Sequence, residues 1–407
     1  MKKLKSLITD KEVKVGFYDG EQNISNYIFK SRNPGTELGK RLVFITLLRY
    51  AILDCLAIDE YEIEEGLTQS EIDYINGEIQ NMLDYSEGYH HLEINSPKIL
   101  YNQLADSPSK KINLDTNKCY IGYSGGKDSK LCLDLIKDDF AEVKKFKINF
   151  DEEEFKSEFH EKLEIVNSTY YQKVSTKFLY EESGKNYYQE EDLHCCFAAP
   201  YFSVKEMSPS HLSVGLQFDV INHYVYDDNG GLISEFGLTE TYKSVKTFEN
   251  LLKNYGLVNF KVIVPLASAT SFAIYTILKS KFGEDGLRSF NSCWYPSEDD
   301  VACGVCMKCQ RVSYIYKVIG MDLTPVERKS LTIFEESGHD LDFLFGSISC
   351  MKLLDGTTTG YRSGDVKNHL FIDEKIEDID GGYSRKISDL FGLAIIENPL
   401  KEGVYHE

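Results

Sequence analysis

Two adjacent glycines sit in a short polar stretch with the composition of an anion-binding loop. The stretch consists of Ser124, Gly125, Gly126, Lys127, Asp128 and Ser129. The glycines let the backbone turn tightly, and the helix predicted to follow offers free N–H groups to a phosphate. Ser124 and Ser129 add hydroxyl donors. Asp128 is suited to hold Mg²⁺ or to cap the helix, and Lys127 has a supporting role. The loop is neither a Walker A loop, which needs Ser or Thr after the lysine, nor G-x-G-x-x-G. The alternative to a phosphate site is a plain strand-to-helix turn.

Four cysteines form the second group of residues that could do chemistry. They are Cys293, Cys303, Cys306 and Cys309, with the spacing C-x9-C-x2-C-x2-C. Two consecutive C-x2-C turns with a fourth thiolate nearby are typical of a tetrahedral Zn²⁺ site, and Gly304 suits the tight turn after Cys303. Four thiolates leave no open coordination position, so the predicted metal is structural. An iron–sulfur cluster is the rival interpretation, because ferredoxins also contain C-x2-C-x2-C.

The glycine loop lies where the chain changes to strands that alternate with helices. Strands are predicted at residues 119–123, 143–148, 212–216 and 261–264, and helices at residues 130–136 and 153–166. This alternation predicts an α/β domain over residues 118–320, with a parallel sheet and helices on both faces.

The two flanking stretches have different patterns. Residues 1–117 contain one short strand pattern, Val13–Tyr18, and two helical patterns that begin near Leu42 and Ser70, so an α-rich extension is predicted. Residues 321–407 lose the alternation and are predicted to form a smaller extension of mixed type.

The charge of the chain bears on its partners. The 407 residues include 65 Asp and Glu against 45 Lys and Arg, for a net charge of -20. A surface this acidic repels phosphate backbones, which argues against nucleic acid as the main partner. The apolar stretch Leu42–Ile58 is interrupted by Arg49 and Asp54, so no membrane span is expected. The positive amino terminus lacks an apolar core, so a cytoplasmic protein is expected.

The two motifs together resemble those of the 7-cyano-7-deazaguanine synthase family of PP-loop ATP pyrophosphatases. That family combines an SGGxDS loop with a run like S-C-Y…C-G-x-C-x-x-C-x-x-R, which here reads SCWY at 292–295 and CGVCMKCQR at 303–311. Residues 212–219 (LSVGLQFD) are similar to its strand-Gly-x-x-x-Asp segment. Residues 265–271 are similar to its Pro-Leu…Thr-Lys segment. The resemblance covers residues 118–320.

The resemblance implies a Rossmann-like fold of the adenine nucleotide α-hydrolase type that binds ATP, Mg²⁺ and a structural Zn²⁺. It implies ATP contacts from residues 124–126, Asp128 and Ser129, with Lys127, Asp128 and Ser129 at the catalytic centre. It also implies the substrate 7-carboxy-7-deazaguanine, whose carboxylate is adenylated before ammonia forms an amide. In that family, a second ATP then drives dehydration to the nitrile.

Departures from the family pattern suggest altered chemistry. The Thr-Lys pair reads Thr270-Ser271, the glutamate two residues on is Ala273, and the Pro-Gly-Arg-Asn segment has no clean counterpart near Pro200. The long extensions are also additional. Enlarged relatives of this family occur in bacterial anti-phage defence operons, and some of them join the deazaguanine to the amino terminus of a protein. An AMP- and pyrophosphate-forming ligase with a protein partner is therefore the preferred hypothesis.

Three other functions stay open at this point. One is a 7-cyano-7-deazaguanine synthase that uses ammonia, and another is a non-catalytic nucleotide-binding scaffold of a defence complex, against which the SGGKDS loop argues. The third, a PP-loop tRNA thiolase, conflicts with the net charge of -20. The candidates for lining the base pocket are Glu158, His160, Glu161, His194, Asp219 and His223.

Overall fold

The computed structural model of the chain describes most of its residues. These are residues 2–31, 34–54, 60–90, 96–104, 111–123, 125–149, 165–174, 197–198, 200–201, 209–221, 224–226, 232–235, 241–290, 302–337 and 366–398. Among them, no helix combines the length and the apolar character that crossing a lipid bilayer requires.

Strands and helices alternate along the described residues. The strands are β1 (Lys2–Ile8), β2 (Glu12–Asp19), β3 (Gln22–Ser31), β4 (Glu60–Leu67), β5 (Lys98–Gln103), β6 (Asp115–Gly122), β7 (Glu142–Asn149), β8 (Ile165–Val174), β9 (Pro209–Ser213), β10 (Tyr224–Tyr226), β11 (Leu232–Glu235), β12 (Lys261–Ile263), β13 (His369–Ile372) and β14 (Ala394–Glu397). The helices are α1 (Glu37–Asp54), α2 (Gln69–His90), α3 (Lys127–Ile136), α4 (Phe218–Ile221), α5 (Tyr242–Asn254), α6 (Ser271–Arg288), α7 (Met307–Val318), α8 (Pro325–Ser337), α9 (Glu374–Ile379) and α10 (Tyr383–Phe391).

The chain divides into two compact units, each made of three separate stretches. The first comprises Met1–Gly122, Asp139–Leu212 and Ile233–Val262. The second comprises Tyr123–Asp138, Ser213–Leu232 and Ile263–Glu407, and it contains the glycine loop and the cysteines at 303–309. The domain boundaries at residues 117 and 320 stay a prediction.

A ten-stranded sheet forms the framework of the first unit. Its strand order is β12-β9-β6-β7-β8-β3-β2-β1-β4-β5. The strands β6, β7 and β8 run parallel, whereas β3, β2 and β1 continue the sheet from β8 as antiparallel neighbours. The strands β4 and β5 then run parallel to β1. The predicted α/β class is confirmed, but the sheet is mixed and the parallel strands form only part of it.

The prediction of an α-rich module over residues 1–117 is wrong. The two helical patterns do form α1 and α2, but the same stretch also contains β1 to β5. The strand β1 shows why the pattern was missed, since it buries Leu4 but leaves Lys2, Lys3 and Lys5 only partly covered. Strands with one polar side give a weak sequence signal, because their stability comes from neighbouring strands.

Most elements predicted within residues 118–320 are confirmed. The strand β6, the helix α3 and the strand β7 follow one another as expected, and β12 matches the strand predicted at 261–264. The strand predicted at 212–216 ends earlier, at Ser213. The helix predicted over 153–166 lies outside the described residues, except for residues 165 and 166, which belong to β8.

Residues 366–398 pack on the segment that follows β12 within the second unit. The N–H of Phe371 donates to the carbonyl of Ser268 at 2.8 Å, and the N–H of Val264 donates to the carbonyl of Ile379 at 2.8 Å. The strands β13 and β14 pair in parallel, and α9 and α10 lie between them in the chain. The mixed secondary structure predicted after residue 320 is therefore confirmed.

Candidate functional site

The glycine loop connects β6 to α3. Gly125 has a left-handed φ of 84°, which strains any residue with a side chain, and Gly126 is the N-cap of α3. Because Gly126 has no side chain, no side-chain hydrogen bond caps the helix there. The first turn of α3 thus has the type of N-terminus that binds anions through backbone N–H groups. Ser124 lies outside the described residues.

Lys127 and Asp128 form an ion pair at the start of α3. The Nζ of Lys127 lies 2.7 and 2.6 Å from the two carboxylate oxygens of Asp128, and 5.2 Å from the centre of the Tyr275 ring. The ammonium group compensates the carboxylate, so the loop does not meet a phosphate with an unbalanced negative charge. A Mg²⁺ ion at Asp128 would compete with Lys127 for the same two oxygens.

The side chain of Ser129, in the first turn of α3, forms a hydrogen bond with the backbone of the glycine loop. Its Oγ donates to the carbonyl of Gly126 at 3.0 Å, and the same carbonyl accepts the N–H of Lys130 at 3.1 Å. The Ser129 side chain is buried. In this arrangement its hydroxyl proton is engaged within the loop, so the predicted contact from Ser129 to ATP requires the hydroxyl to rotate.

A buried helix face fixes the position of the glycine loop. Leu131, Cys132, Leu135 and Ile136 are all buried, as their spacing predicts. The Sγ of Cys132 lies 3.8 Å from the carbonyl oxygen of Val214, which belongs to the segment after β9. The N-terminus of α3 is therefore presented by a packed helix rather than by an isolated turn.

The segment after β9 passes against the first turn of α3. A Cβ added at Gly215 would lie 3.1 Å from the Cβ of Asp128 and 3.3 Å from its carbonyl carbon. These distances are shorter than ordinary van der Waals contact, so only glycine fits at this position without a shift. Residues 213–217 therefore form a wall of the site directly beside the glycine loop.

Hydrogen bonds fix this wall on both sides of Gly215. The N–H of Val214 donates to the carbonyl of Ile263 at 3.1 Å, and the N–H of Phe218 donates to the carbonyl of Ala269 at 3.0 Å. The Phe218 ring is fully buried and contacts the ring of Phe371, with 5.1 Å between the ring centres. The wall is thus a fixed surface.

Two buried side-chain oxygens in this wall have no hydrogen-bond partner among the described residues. They are Ser213 Oγ and Gln217 Oε1. Sequence reasoning missed both residues. The available signal was the presence of Ser and Gln in LSVGLQFD, where the apolar pattern predicts burial.

The positions where the chain departs from the resembled family lie at the start of α6. Thr270 is the N-cap, and its hydroxyl oxygen accepts the N–H of Ala273 at 3.2 Å. Ser271 and Ala273 are both buried. The small residues at these two positions are therefore part of the local packing.

Three cysteines lie close enough together to share a metal ion. The Sγ atoms of Cys303, Cys306 and Cys309 all lie within 4.8 Å of one another. The Sγ of Cys309 lies 3.8 Å from that of Cys303 and 3.5 Å from that of Cys306. Two thiolates on one tetrahedral Zn²⁺ lie about 3.8 Å apart when the Zn–S bond is about 2.3 Å. The spacing of the sulfurs fits this geometry.

The surrounding backbone holds the three sulfurs in place. Cys306 is the N-cap of α7, and its N–H donates to the Sγ of Cys303 at 3.4 Å. Gly304 has a left-handed φ of 71°, and its carbonyl accepts the hydroxyl of Ser330 at 2.6 Å. Gln310 donates to the carbonyl of Val305 at 2.9 Å. N–H···S bonds of this kind orient metal-binding thiolates.

Several predicted site residues lie outside the described part of the chain. These are Ser124, Cys293, Glu158, His160, Glu161, His194 and His223. Asp219 lies in α4, but its side chain is not among those described.

Comparisons with known proteins do not identify the function of this site. No family model matches the chain, and no curated protein or solved structure matches it either. The basis for a functional proposal is therefore the glycine loop, the wall at residues 213–217 and the three cysteines.

Proposed function

We propose that the chain is an ATP-dependent ligase that adenylates the carboxylate of 7-carboxy-7-deazaguanine and passes the acyl group to an amine. The observation that carries this proposal is the uncapped N-terminus of α3 after a loop with a left-handed glycine. Such an arrangement binds the phosphates of a nucleotide. The resemblance of the SGGKDS loop to PP-loop enzymes adds the expectation that pyrophosphate is the leaving group.

The strand order supports a nucleotide site at this loop. In the order β12-β9-β6-β7-β8, the strands β7 and β8 lie on one side of β6, and β9 and β12 lie on its other side. In doubly wound sheets, ligands bind where the order reverses, outside the ends of the strands. The glycine loop follows β6, and the wall at residues 213–217 follows β9. This agreement supports the Rossmann-like fold that the resemblance implies.

The proposed reaction has two steps. A carboxylate oxygen of the substrate attacks the α-phosphorus of ATP, the bond to the β-phosphate oxygen breaks, and pyrophosphate leaves. An amine then attacks the acyl carbon, AMP leaves with the bonding electron pair, and the amine loses a proton. The backbone N–H groups of α3 bind phosphate oxygens and thereby stabilise the charge that develops on the leaving group. Mg²⁺, when bound, supplies further positive charge to the phosphates.

The roles of Lys127 and Asp128 follow from their ion pair. Lys127 would bind phosphate oxygens of ATP, and the carboxylate of Asp128 would hold Mg²⁺ beside them. The pair observed at 2.6 Å thus keeps both side chains beside the loop before nucleotide binding. Lys127 supports phosphate binding, and Asp128 is the proposed Mg²⁺ ligand.

The three cysteines are proposed to hold a structural Zn²⁺, with Cys293 as the fourth ligand. Sulfur-to-sulfur distances of 3.5 and 3.8 Å fit a tetrahedral site, and a thiolate set is the type that Zn²⁺ prefers. Zn²⁺ would hold together the turn before α7 and would take no part in the reaction.

The acceptor is proposed to be the amino terminus of a partner protein in the cytoplasm, as part of anti-phage defence. The departures at Ser271 and Ala273 and the long extensions support a single amide rather than a nitrile. Intact-mass spectrometry of a co-expressed partner should show an increase by one deazaguanine acyl group. Efficient nitrile formation with ammonia and no protein adduct would favour the synthase instead.

The test of the adenylation step measures the products of ATP. Wild-type protein with Mg²⁺, ATP and 7-carboxy-7-deazaguanine should release AMP and pyrophosphate, and Asp128→Ala should release neither. Asp138→Ala is the matched control, because Asp138 is exposed just after α3 and should keep full activity. ADP as the product would show that the loop is not of the PP-loop type. A wild-type protein that leaves ATP intact would favour the scaffold hypothesis.

A further inference from the structure

The last turn of the helix that follows the glycine loop is bound by a lysine from far along the chain. The Nζ of Lys386, in α10, donates to the carbonyl of Leu135 at 2.5 Å, and Leu135 is the penultimate residue of α3. The last four carbonyls of an α-helix have no donor within the helix, and a cation beside them stabilises the helix through its dipole. Lys386 therefore completes α3 at the end opposite the glycine loop.

A different helix, α6, contacts α3 near both of its ends. The Nζ of Lys281, in α6, lies 2.5 Å from Oδ2 of Asp134 in the last turn of α3. In the first turn, the Nζ of Lys127 lies 5.2 Å from the ring centre of Tyr275, which also belongs to α6. Contacts with two different helices restrict both the position and the tilt of α3, and Lys386 supplies the contact from α10.

The helix α10 is itself anchored inside the second unit. Asp380 is buried, and its carboxylate accepts the N–H groups of Gly382 at 2.7 Å and Ser384 at 3.1 Å. The Oγ of Ser384 lies 2.7 Å from that of Ser268, and both residues are buried. Lys386 thus belongs to a helix whose first turn is fixed by hydrogen bonds.

The same part of the chain supports the wall beside the glycine loop. The carbonyl of Ser268 accepts the N–H of Phe371, and the carbonyl of the next residue, Ala269, accepts the N–H of Phe218. The rings of Phe218 and Phe371 are also in contact. Residues 366–398 therefore bind both α3 and the support of the wall, which are the two sides of the proposed phosphate site.

The orientation of α3 matters because its N-terminal N–H groups are the proposed phosphate ligands. The helix has ten residues and is about 15 Å long, so a tilt about its middle moves both ends by the same distance. A displacement of about 1 Å at a reacting centre can lower a rate by about a hundredfold. A contact at the last turn can thus control the geometry at the first.

We infer that Lys386 is a positioning residue for nucleotide binding, which acts through α3 by fixing the orientation of its N-terminal N–H groups. This inference rests on the proposed function, because it concerns the phosphate site of the same loop. Lys386 acts at the far end of the helix and binds neither ATP nor the acid.

The test measures binding of Mg²⁺ with ATP by calorimetry, and the rate of AMP formation with 7-carboxy-7-deazaguanine. Lys386→Met removes the ammonium group and keeps a side chain of similar length. It should weaken ATP binding by about threefold to tenfold and lower the rate at saturating ATP by about tenfold or more. Lys386→Arg keeps a cationic donor and should restore both values to within about threefold of wild type.

A matched control and a second variant separate positioning from a general loss of structure. Arg385→Met removes one positive charge at the neighbouring, exposed position and should change neither value. Thermal unfolding of each variant shows whether it is folded at the temperature of the assay. If Lys386→Met does not fold, Lys386→Gln, whose side chain is one atom shorter than that of lysine, takes its place with the same expected losses.

Three results would overturn the inference. They are unchanged ATP binding and AMP formation in a folded Lys386→Met, losses of the same size in Arg385→Met, and no recovery in Lys386→Arg. A wild-type protein that binds ATP but forms AMP with no carboxylate would refute the proposed ligase, and ATP binding by the variants would then decide the inference. A wild-type protein that does not bind ATP would refute both.

Discussion

The two units differ in what surrounds their polar groups. In the first unit, Arg49 Nε donates to Glu78 Oε2 at 2.7 Å, and both side chains are 1% exposed. Arg41 binds both carboxylate oxygens of Glu71, at 2.7 and 2.6 Å. Glu71 also accepts a hydrogen bond from the hydroxyl of Tyr255. These charges are paired with one another inside the protein.

In the second unit, by contrast, two groups of residues have the arrangement of a ligand site. The N-cap of α3 is a glycine without a capping side chain, and three cysteine sulfurs converge on one point. The difference teaches that the buried ion pairs stabilise the fold without any ligand, whereas the converging thiols are arranged to bind a metal. The second unit is therefore expected to depend on a bound metal more than the first.

Removal of the metal should give the largest difference between the units. Purified protein is expected to contain about one Zn²⁺ per chain. In Cys306→Ser, which loses a ligand, hydrogen exchange should show α7 and α8 losing protection while α1 and α2 keep theirs. Metal binding and folding of such sites are coupled, which is the physical reason. Cys119→Ser, a change at a buried cysteine of β6, should keep the metal. Brown protein would indicate an iron–sulfur cluster, and metal-free wild type would refute the site.

Breaking an ion pair in the first unit should have the next largest effect. Arg49→Met leaves Glu78 charged and buried without its partner, and should lower the free energy of unfolding by about 3–5 kcal/mol. Replacing both residues, as Arg49→Met with Glu78→Leu, should recover most of that loss, because no buried charge then remains. Urea unfolding measures both values. A single variant as stable as wild type would contradict the view that this pair is structural.

A methyl group at Gly215 should have a smaller effect that is confined to the second unit. Gly215→Ala places a Cβ 3.1 Å from that of Asp128 and should cost about 1–3 kcal/mol while weakening ATP binding. Gly77→Ala is the matched control, because a Cβ at this position in α2 meets nothing within 4 Å. The control should be neutral or stabilising by about 0.4–1 kcal/mol. Equal effects at both glycines would show that the close approach at Gly215 is unimportant.

Acid should produce the smallest effect, through Glu71. Burial alone would raise the pKa of Glu71, but Arg41, Tyr255 and the N–H of Thr68 hold it below its usual value of 4.5. The stabilisation is therefore present above about pH 4.5 and is lost as the pH falls through the lower pKa of the folded state. Glu71→Gln should be less stable at neutral pH, and its stability should fall less steeply between pH 6 and pH 3. If the free energy of unfolding changed with pH by the same amount in the wild type and in Glu71→Gln, this linkage would be wrong.

Local patterns explain which parts could be predicted from the sequence. The strand β6, the glycine loop and the helix α3 follow one another directly in the chain. The glycines typical of a turn and the helical spacing of the apolar residues were therefore enough to predict all three. The two C-x2-C turns are equally local, and the structure brings Cys303, Cys306 and Cys309 together as their spacing suggested.

Contacts between distant residues explain what could not be predicted. Arg49 interrupts an apolar helical stretch in the sequence, but its partner Glu78 lies in another helix and no local pattern indicates it. The strands β1 and β3 are stabilised by pairing with β2. Because their own sequences contain many polar residues, no apolar strand pattern indicated them. The unpaired oxygen of Gln217 could only be recognised once its surroundings were known.

The packing of residues 366–398 on the segment after β12 has a consequence for synthesis of the protein. A ribosome releases the chain from its amino terminus, so the glycine loop emerges long before Phe371 and Ile379 are made. The hydrogen bond that Phe371 donates to Ser268 and the one that Ile379 accepts from Val264 form only after these residues have been made. A nascent chain thus carries the complete SGGKDS motif without a finished second unit. The second unit is therefore completed only after translation has passed this region.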